Sequence, residues 1–177
     1  MTSLLTRLGL AATGLWLALA ALVPAASDAY VLSGDPWPDT VITYRADTAR
    51  DAAASDYAAR AWNRAHVGVR FTRTTGWGDV VVSGRTSRCT GQATIGRARQ
   101  GFVDVGRCSA GLSALIATHE FGHVIGLGHE SRRCALMNPH FRRDGSPERC
   151  SVHPLRFWLA HPLRRDDVRG ARALSGG

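Results

Sequence analysis

A short stretch of the chain, residues 119–129, has the sequence H-E-F-G-H-V-I-G-L-G-H and contains three histidines and one glutamate. On a helix, His119 and His123 are four residues apart, so both imidazoles project from one face toward the same point. Gly126 can adopt a positive φ, which would end the helix and let His129 approach that point from another direction. Three neutral histidines that leave one position open are typical of a catalytic zinc site, whereas a structural site is closed by four protein ligands.

Two further residues, Glu120 and Met137, complete this pattern. Glu120 lies beside the predicted metal position, where its carboxylate can hold a water molecule without being a ligand itself. A tight turn follows at residues 134–139 (C-A-L-M-N-P), and we expect Met137 to form an apolar floor beneath the metal. H-E-x-x-H alone also occurs by chance on ordinary helices, but the extended motif is much more specific. The sequence therefore predicts a catalytic zinc site in which Glu120 is the catalytic carboxylate.

The extended motif and the methionine turn resemble the metzincin metalloproteases, and among them the matrixin (matrix-metalloprotease-like) catalytic domain of a secreted bacterial type. Weaker similarities lie in W-P at 37–38, V-I-T-Y-R at 41–45, A-W-N at 61–63, V-R-F at 69–71 and D-D-V at 166–168. The resemblance implies an α+β fold of the zincin type. Its parts would be a twisted, mostly parallel five-stranded sheet with an antiparallel edge strand, a zinc-binding active-site helix, a Met-turn and a C-terminal helix.

The same resemblance implies a zinc metalloendopeptidase, which hydrolyses peptide bonds of protein or peptide substrates. His119, His123 and His129 would hold one catalytic Zn2+, which activates a water molecule, and Glu120 would act as the general base. The segment Pro139-His140-Phe141 would line a side-chain specificity pocket next to the zinc.

Two departures from the matrixin pattern limit this transfer. Residues 67–118 contain no histidine and only two acids, Asp79 and Asp104, so we predict no second zinc and find little support for Ca2+. Glu130, directly after the third histidine, is typical of another metzincin group, the astacins. The early position of Met137, followed by Asn138, nevertheless favours the matrixin pattern.

Two other functions stay open at this point. A secreted zinc hydrolase of a non-peptide amide, such as a cell-wall amide, would use the same chemistry. A catalytically silent zinc-binding module would keep the fold and the metal, but it would have no chemical need for Glu120. We therefore favour an enzyme.

The N-terminal residues 1–29 predict a secretory signal peptide. Arg7 gives a positive start, residues 8–23 form an apolar run, and small residues follow. Cleavage after Ala25 or after Ala29 fits the pattern, and an uncleaved membrane anchor is the alternative. We expect residues 30–177 to form one secreted, extracellular catalytic domain, monomeric and without stable membrane association after cleavage.

The chain has a formal net charge of +8, and all 22 of its basic residues are arginine. This uniform use of arginine indicates a genomic composition bias rather than a designed patch. No nucleic-acid-binding motif is present, so we do not predict a nucleic-acid partner. A net positive domain favours acidic surfaces or substrates.

Four cysteines, Cys89, Cys108, Cys134 and Cys150, indicate disulfide bonds in an exported chain. Three pairings are possible, and closure of local loops favours Cys89 with Cys108 and Cys134 with Cys150. A cysteine-based second zinc site is the alternative, but the C-x-x-C spacing that it would need is absent.

Hydrophobic patterns and turn residues predict the elements that position the site. We predict strands at Thr40–Ala46, Val67–Thr72, Asp79–Ser83, Gln92–Gly96 and Gly101–Val105. The resemblance to matrixins implies that the strand at Gln92–Gly96 is the edge strand above the cleft, where an extended peptide can add to it. An ordinary solvent-covered edge is the alternative. One helix is expected after a cap at Thr48, with Trp62 packed inward, a second from Ser109 through the histidine motif, and a third from Arg165 to Leu174.

Overall fold

The computed structural model describes residues 30–176, so the predicted signal peptide lies outside the described residues. This range contains five strands and four helices: β1 Val41–Ala46, α1 Ala49–Ala65, β2 Arg70–Arg73, β3 Val80–Ser83, β4 Gly91–Ala93, β5 Gly101–Val105, α2 Ala110–Ile125, α3 Leu155–Ala160 and α4 Arg165–Leu174. None of these helices is long and apolar enough to cross a membrane.

The five strands form one sheet in the order β2-β1-β3-β5-β4. All neighbouring pairs are parallel except β4 with β5, so β4 is an antiparallel edge strand, as predicted. Side chains alternate between the two faces of a strand. Ile42, Val82 and Val103 face the core and are buried, whereas Val41 and Phe102 are exposed on the opposite face. The predicted α+β fold with a mostly parallel sheet is therefore confirmed.

Helix α1 links the sheet to the helix that carries the histidine motif. It begins after Thr48, whose hydroxyl accepts a hydrogen bond from the Asp51 N–H at 3.2 Å, as the sequence predicts for an N-cap. Trp62 is completely buried, and its Nε1–H donates to the Thr118 carbonyl at 2.8 Å. Because Thr118 directly precedes His119, this hydrogen bond fixes the position of α2 relative to α1.

Strands β2 and β4 differ most from their predicted bounds, each because a residue with positive φ redirects the chain. The predicted strand at Val67–Thr72 starts only at Arg70, since His66 and Gly68 have φ values of 49° and 87°. Val67 still belongs to the buried core. The predicted strand at Gln92–Gly96 ends at Ala93. Gly96, with φ 70°, donates its N–H to the His123 carbonyl at 2.8 Å, so its backbone bonds to α2 instead of the sheet.

The structure differs from the predicted helices at two places, the N-cap of α2 and an additional short helix. Ser109 occupies the N-cap position of α2, but its side chain makes no capping hydrogen bond. Helix α3, which the sequence pattern did not predict, is short and buries Trp158 in a small second cluster with Leu115 and Cys150.

Helix α4 anchors the turn that contains Met137. The carboxylate of Asp167 is 1% exposed and accepts hydrogen bonds from the N–H groups of Leu136 at 2.8 Å and Met137 at 3.0 Å. It also accepts from the Arg164 N–H at 2.8 Å and thereby caps its own helix. One buried carboxylate thus joins the C-terminal helix to the turn that contains Met137.

This arrangement predicts a pH-dependent contribution to stability. Burial raises the pKa of Asp167 from 3.8 to about 6, against the effect of its backbone hydrogen bonds. Because this folded-state pKa exceeds the unfolded value, stabilisation from Asp167 is complete below pH 3.8 and is lost as the pH rises through about 6. Asparagine does not titrate. We therefore expect the deficit in unfolding free energy of Asp167→Asn, relative to wild type, to shrink by about 2 kcal/mol between pH 4.5 and pH 7.

Urea denaturation of both proteins at the two pH values measures this change. A deficit that stays constant, or grows toward pH 7, would show that the backbone donors rather than burial set the pKa of Asp167.

Candidate metal centre

Helix α2 carries the first two histidines and ends where the motif requires a change of direction. His119, Glu120 and His123 are all buried on this helix. Gly126 has φ 122°, and its N–H bonds back to the carbonyls of Gly122 and His123. A residue with a Cβ is strained at this φ, so glycine allows the helix to stop here.

The chain after Gly126 is held against residues 30–40, the segment before β1, which we call the lead-in. Leu127 forms an antiparallel bridge with Leu32, and the Gly128 N–H donates to the Val31 carbonyl at 2.7 Å. A Cβ on Gly128 would lie 2.2 Å from the Ser33 hydroxyl oxygen, so this approach requires a residue without a side chain. The path of the backbone then brings the next residue, His129, to the two helical histidines.

The three histidines converge on one point. Their Nε2 atoms are 3.1 Å apart between His119 and His123, 3.1 Å between His123 and His129, and 3.2 Å between His129 and His119. The first two side chains are buried, and His129 is exposed at the mouth of the cleft.

Backbone carbonyls orient the two helical imidazoles. The Nδ1 of His119 lies 2.8 Å from the Leu136 carbonyl, and the Nδ1 of His123 lies 2.7 Å from the Leu127 carbonyl. A carbonyl can only accept, so each Nδ1 carries the proton and each Nε2 presents a lone pair to the shared point.

The surroundings also keep the histidines uncharged. Burial lowers the pKa of His119 to about 3, and the neighbouring His123 contributes further. Burial likewise lowers the pKa values of His123 and His129. Neutral imidazole is the form that binds metal ions, so the triad does not have to lose protons before it can act as a ligand set.

These nitrogens fit a zinc ion. Lone pairs that converge at 3.1–3.2 Å repel one another unless a cation lies between them. A point about 2 Å from all three nitrogens exists, and this is the usual Zn–N distance. Within residues 30–176, no cysteine, aspartate, glutamate or further histidine joins the cluster. The donor set is therefore open at one position, as in catalytic sites.

Met137 packs against α2 at Gly122. It is 2% exposed, and a Cβ built on Gly122 would lie only 2.4 Å from its sulfur. The glycine inside the H-E-F-G-H sequence thus makes room for the methionine. Leu136, the residue before it, supplies the carbonyl that orients His119.

The histidines and Glu120 line a cleft of about 830 Å³. Its other walls come from β4, from the apolar side chains of Leu112 and Ile116 on α2, and from residues 139–143. Burial raises the pKa of Glu120 to about 8, and Asp104 adds to this effect. A carboxyl group with a raised pKa beside a metal-ligand cluster is able to accept and release a proton near neutral pH.

The predicted pocket residues Pro139, His140 and Phe141 all line this cleft. The Phe141 ring packs edge-on against the His119 ring, with 5.6 Å between the ring centroids. The remaining histidines lie elsewhere: His66 and His161 terminate helices α1 and α3, and His153 stacks on Phe157.

The cysteines form two disulfide bonds on either side of α2. Cys89 is joined to Cys108 and Cys134 to Cys150. The first bond closes the loop that contains β4 and β5, and Cys89 itself lines the cleft. The second closes the segment that contains the methionine turn and the cleft-lining residues 139–143. Loop closures of this size typically add about 3 kcal/mol to stability.

Sequence reasoning missed two residues that shape the site. A Cβ on Gly91 would lie 2.1 Å from Oε1 of Glu120, so glycine at this position lets the edge strand and the Glu120 carboxylate approach each other closely. The Trp37 Nε1–H donates to the Val124 carbonyl at 2.7 Å and ties the lead-in to α2. A glycine inside a strand is a signal for close approach, and it could have directed attention to Gly91.

Comparisons with known proteins agree with this geometry. The sequence profile of the Matrixin family of peptidases matches residues 89–174, which include β4, β5, the histidine motif, the methionine turn and α4. Over this segment the chain is matrixin-like. The α2 helix, the Met137 turn and the edge strand are therefore the matrixin-like part of the molecule.

Several matrix metalloproteinases are similar to the chain over part of its length. Matrix metalloproteinase-27 of Homo sapiens is 36% identical over 63 residues, which are 36% of this chain and 10% of that protein. Matrix metalloproteinase-27 of Tupaia belangeri is 37% identical over 70 residues, 39% of this chain and 11% of that protein. Matrix metalloproteinase-9 of Canis lupus familiaris is 40% identical over 62 residues, 35% of this chain and 7% of that protein. The matched region spans about a tenth of the length of these relatives.

The site predicts which histidines metal binding needs. Replacing His119 with alanine removes one of three converging donors, so we expect zinc affinity to fall by more than about 100-fold. His140→Ala is the matched control, because His140 lines the same cleft outside the triad and should leave the affinity within about threefold of wild type. Competition with a chromophoric zinc chelator measures both. Equal losses in the two variants would contradict the assigned ligand set.

Proposed function

We propose that residues 30–177 are the catalytic domain of a secreted zinc metalloendopeptidase that hydrolyses internal peptide bonds of proteins. One observation carries the proposal: three inward-facing Nε2 atoms, open at a fourth position, share a peptide-sized cleft with a buried carboxylate. The similarity to matrix metalloproteinases supports the reaction class.

His119, His123 and His129 would hold the zinc through their Nε2 atoms. Bound there, zinc would lower the pKa of a coordinated water to roughly 7 and polarise the carbonyl of the substrate. The carbonyls of Leu136 and Leu127 keep the imidazoles turned inward during turnover, because each accepts an Nδ1–H. Calcium plays no part in this proposal.

Glu120 supplies the proton transfers. Its carboxylate accepts a proton from the attacking water and delivers it to the nitrogen of the leaving amine. Its position against Gly91 keeps the carboxylate at the cleft surface between α2 and the edge strand. Burial favours its protonated form, so the carboxyl group holds the accepted proton until it passes it to the substrate nitrogen as the peptide bond breaks.

Strand β4 would bind the substrate backbone. Thr90 and Thr94 direct backbone groups to β5, through hydrogen bonds of 2.9 Å to Gly106 and 3.0 Å to Phe102. Because direction alternates along a strand, the N–H and C=O groups of Gly91 and Ala93 point to the open edge. No described strand pairs with that edge. An extended peptide can add there as a sixth strand and bring its scissile carbonyl to the histidines.

Secretion is part of the same proposal. It is supported by the signal-peptide pattern in residues 1–29 and by two disulfides, which persist in oxidising compartments. The bacterial origin and the monomeric state stay predictions from the sequence.

The proposal predicts separate effects on metal binding and turnover. Glu120→Gln keeps the shape of the side chain but removes the base, so we expect casein cleavage to fall by about 10²- to 10⁴-fold with zinc content unchanged. Zinc analysis and a fluorescent casein assay on the same samples test this, with chelator-treated wild type as the control.

A purified peptidoglycan assay run in parallel separates the alternatives. Glu120-dependent release of wall fragments without casein cleavage would identify a non-peptide amide hydrolase. Inactivity toward both substrates, with zinc bound, would identify a silent binding module.

Gly91 provides a second prediction. In Gly91→Ala, the new Cβ would meet Oε1 of Glu120 at 2.1 Å and displace the carboxylate. We expect kcat to fall at least about tenfold, with KM and zinc content changed little. Gly76→Ala is the control, since its nearest neighbour would be Thr74 at 3.9 Å. Unchanged kcat in Gly91→Ala would show that the carboxylate does not need this position.

A further inference from the structure

The charged side chains that line the cleft, apart from the histidines, influence which peptides it can bind. Three charged residues line the cleft: Glu120, Arg142 and Arg143. Glu120 is 4% exposed and lies against Gly91 of the edge strand, whereas both arginines are exposed. Among the described lining residues, an incoming peptide therefore meets positive charge at the outer part of the cleft.

The two arginines differ in what they bind. The guanidinium of Arg142 donates to the carbonyls of Pro147 at 2.9 Å, Cys150 at 3.0 Å and Glu148. These hydrogen bonds hold residues 147–150 in place, so Arg142 is a structural residue. The Arg143 guanidinium makes no hydrogen bond or ion pair to any other described residue. It is the free cation of the cleft lining in the described part of the chain.

A rigid turn presents Arg143. The Arg142 N–H donates to the Ser146 carbonyl at 2.8 Å, and the Gly145 N–H donates to the Arg142 carbonyl at 2.9 Å. Asp144 accepts the Ser146 N–H at 2.8 Å, so its carboxylate is engaged within the turn. Gly145 has φ 86° and packs against Leu155 so closely that a Cβ would lie 2.7 Å away. The backbone under Arg143 is therefore fixed, and only its side chain has to be ordered on binding.

Apolar side chains share the cleft with Arg143 and the histidines. Leu112, Ile116, Pro139 and Phe141 line this part of the cleft, and Phe141 contacts His119. A substrate side chain bound in this cleft therefore has both apolar walls and a guanidinium available to it. Glutamate and aspartate combine an apolar stem with a terminal carboxylate, and arginine binds carboxylates through two parallel hydrogen bonds.

We propose that this cleft selects peptides with an acidic side chain at the position seated between the Pro139–Phe141 wall and the Arg143 guanidinium. This inference rests on the proposed endopeptidase function and specifies its substrate class. Arg143 acts as a specificity determinant and takes no part in the bond-breaking steps.

The first test reads the preference from cleavage. A mixed peptide library is digested with zinc-loaded wild type, Arg143→Gln and Arg60→Gln, and mass spectrometry identifies the residues around each cleaved bond. Arg60→Gln is the matched control, because it removes the same charge from an exposed position of α1 outside the cleft. We expect Asp and Glu to be enriched about three- to tenfold at one position beside the bond in wild type and Arg60→Gln. Arg143→Gln should lose the enrichment and still cleave.

The second test measures binding without turnover. In the Glu120→Ala background, fluorescence anisotropy compares two labelled peptides that differ only by Glu or Gln at the selected position. Where the library shows no cleavage, the same pair is made at each central position in turn. We expect about fivefold tighter binding of the Glu peptide, weakened by salt and abolished by Arg143→Gln.

The outcomes separate this inference from the proposed function. Cleavage without acidic enrichment, or enrichment that persists in Arg143→Gln, would overturn the role of Arg143 alone. No cleavage of any peptide would contradict the endopeptidase function. In that case an Arg143-dependent preference for a Glu peptide in the anisotropy assay would still support acidic selection, and its absence would overturn it.

Discussion

The structure depends on holding three imidazole lone pairs toward one point, an arrangement that is unfavourable without a cation. The Nε2 atoms of His119, His123 and His129 lie 3.1–3.2 Å apart. The surrounding fold holds the three nitrogens together despite their mutual repulsion. Two Nδ1–H groups are fixed by backbone carbonyls, and burial keeps the rings neutral. A bound metal would convert this repulsion into coordination, so the folded chain is organised in advance for its ligand.

Each major element contributes to that organisation. The sheet and α1 hold α2 through the buried core and through the hydrogen bond from Trp62 to the residue before His119. The lead-in segment holds the turn that delivers His129, and α4 holds the Met137 turn through Asp167. Both disulfides and the hydrogen bonds from the Arg142 guanidinium stabilise the loops at the rim of the cleft. The parts that would contact a substrate are therefore rigid, which lowers the entropic cost of binding an extended peptide.

Much of this arrangement follows from local sequence patterns, and the rest depends on contacts distant in the chain. The Thr48 cap, the alternation in β1 and β5 and the spacing of the histidine motif act within a few residues, so these elements and the candidate triad were predictable. The fold class was predicted from the resemblance to matrixins. The ends of β2 and β4 were not, because positive φ at Gly68 and Gly96 is set by tertiary packing. The contacts of Gly91 with Glu120 and of Asp167 with Met137 span 29 and 30 residues and have no local signature. Short helix α3 likewise owes its place to the packing of Trp158.

The central claim is a single zinc ion held by three histidines with one position open. X-ray absorption spectroscopy at the zinc edge on the purified, zinc-loaded chain tests it most directly. We predict one zinc per chain, with three imidazole nitrogens at about 2.0–2.1 Å and one oxygen ligand. Sulfur ligands at about 2.3 Å, or a closed shell of four protein ligands, would contradict it, because either result would describe a structural zinc site with no place for a substrate.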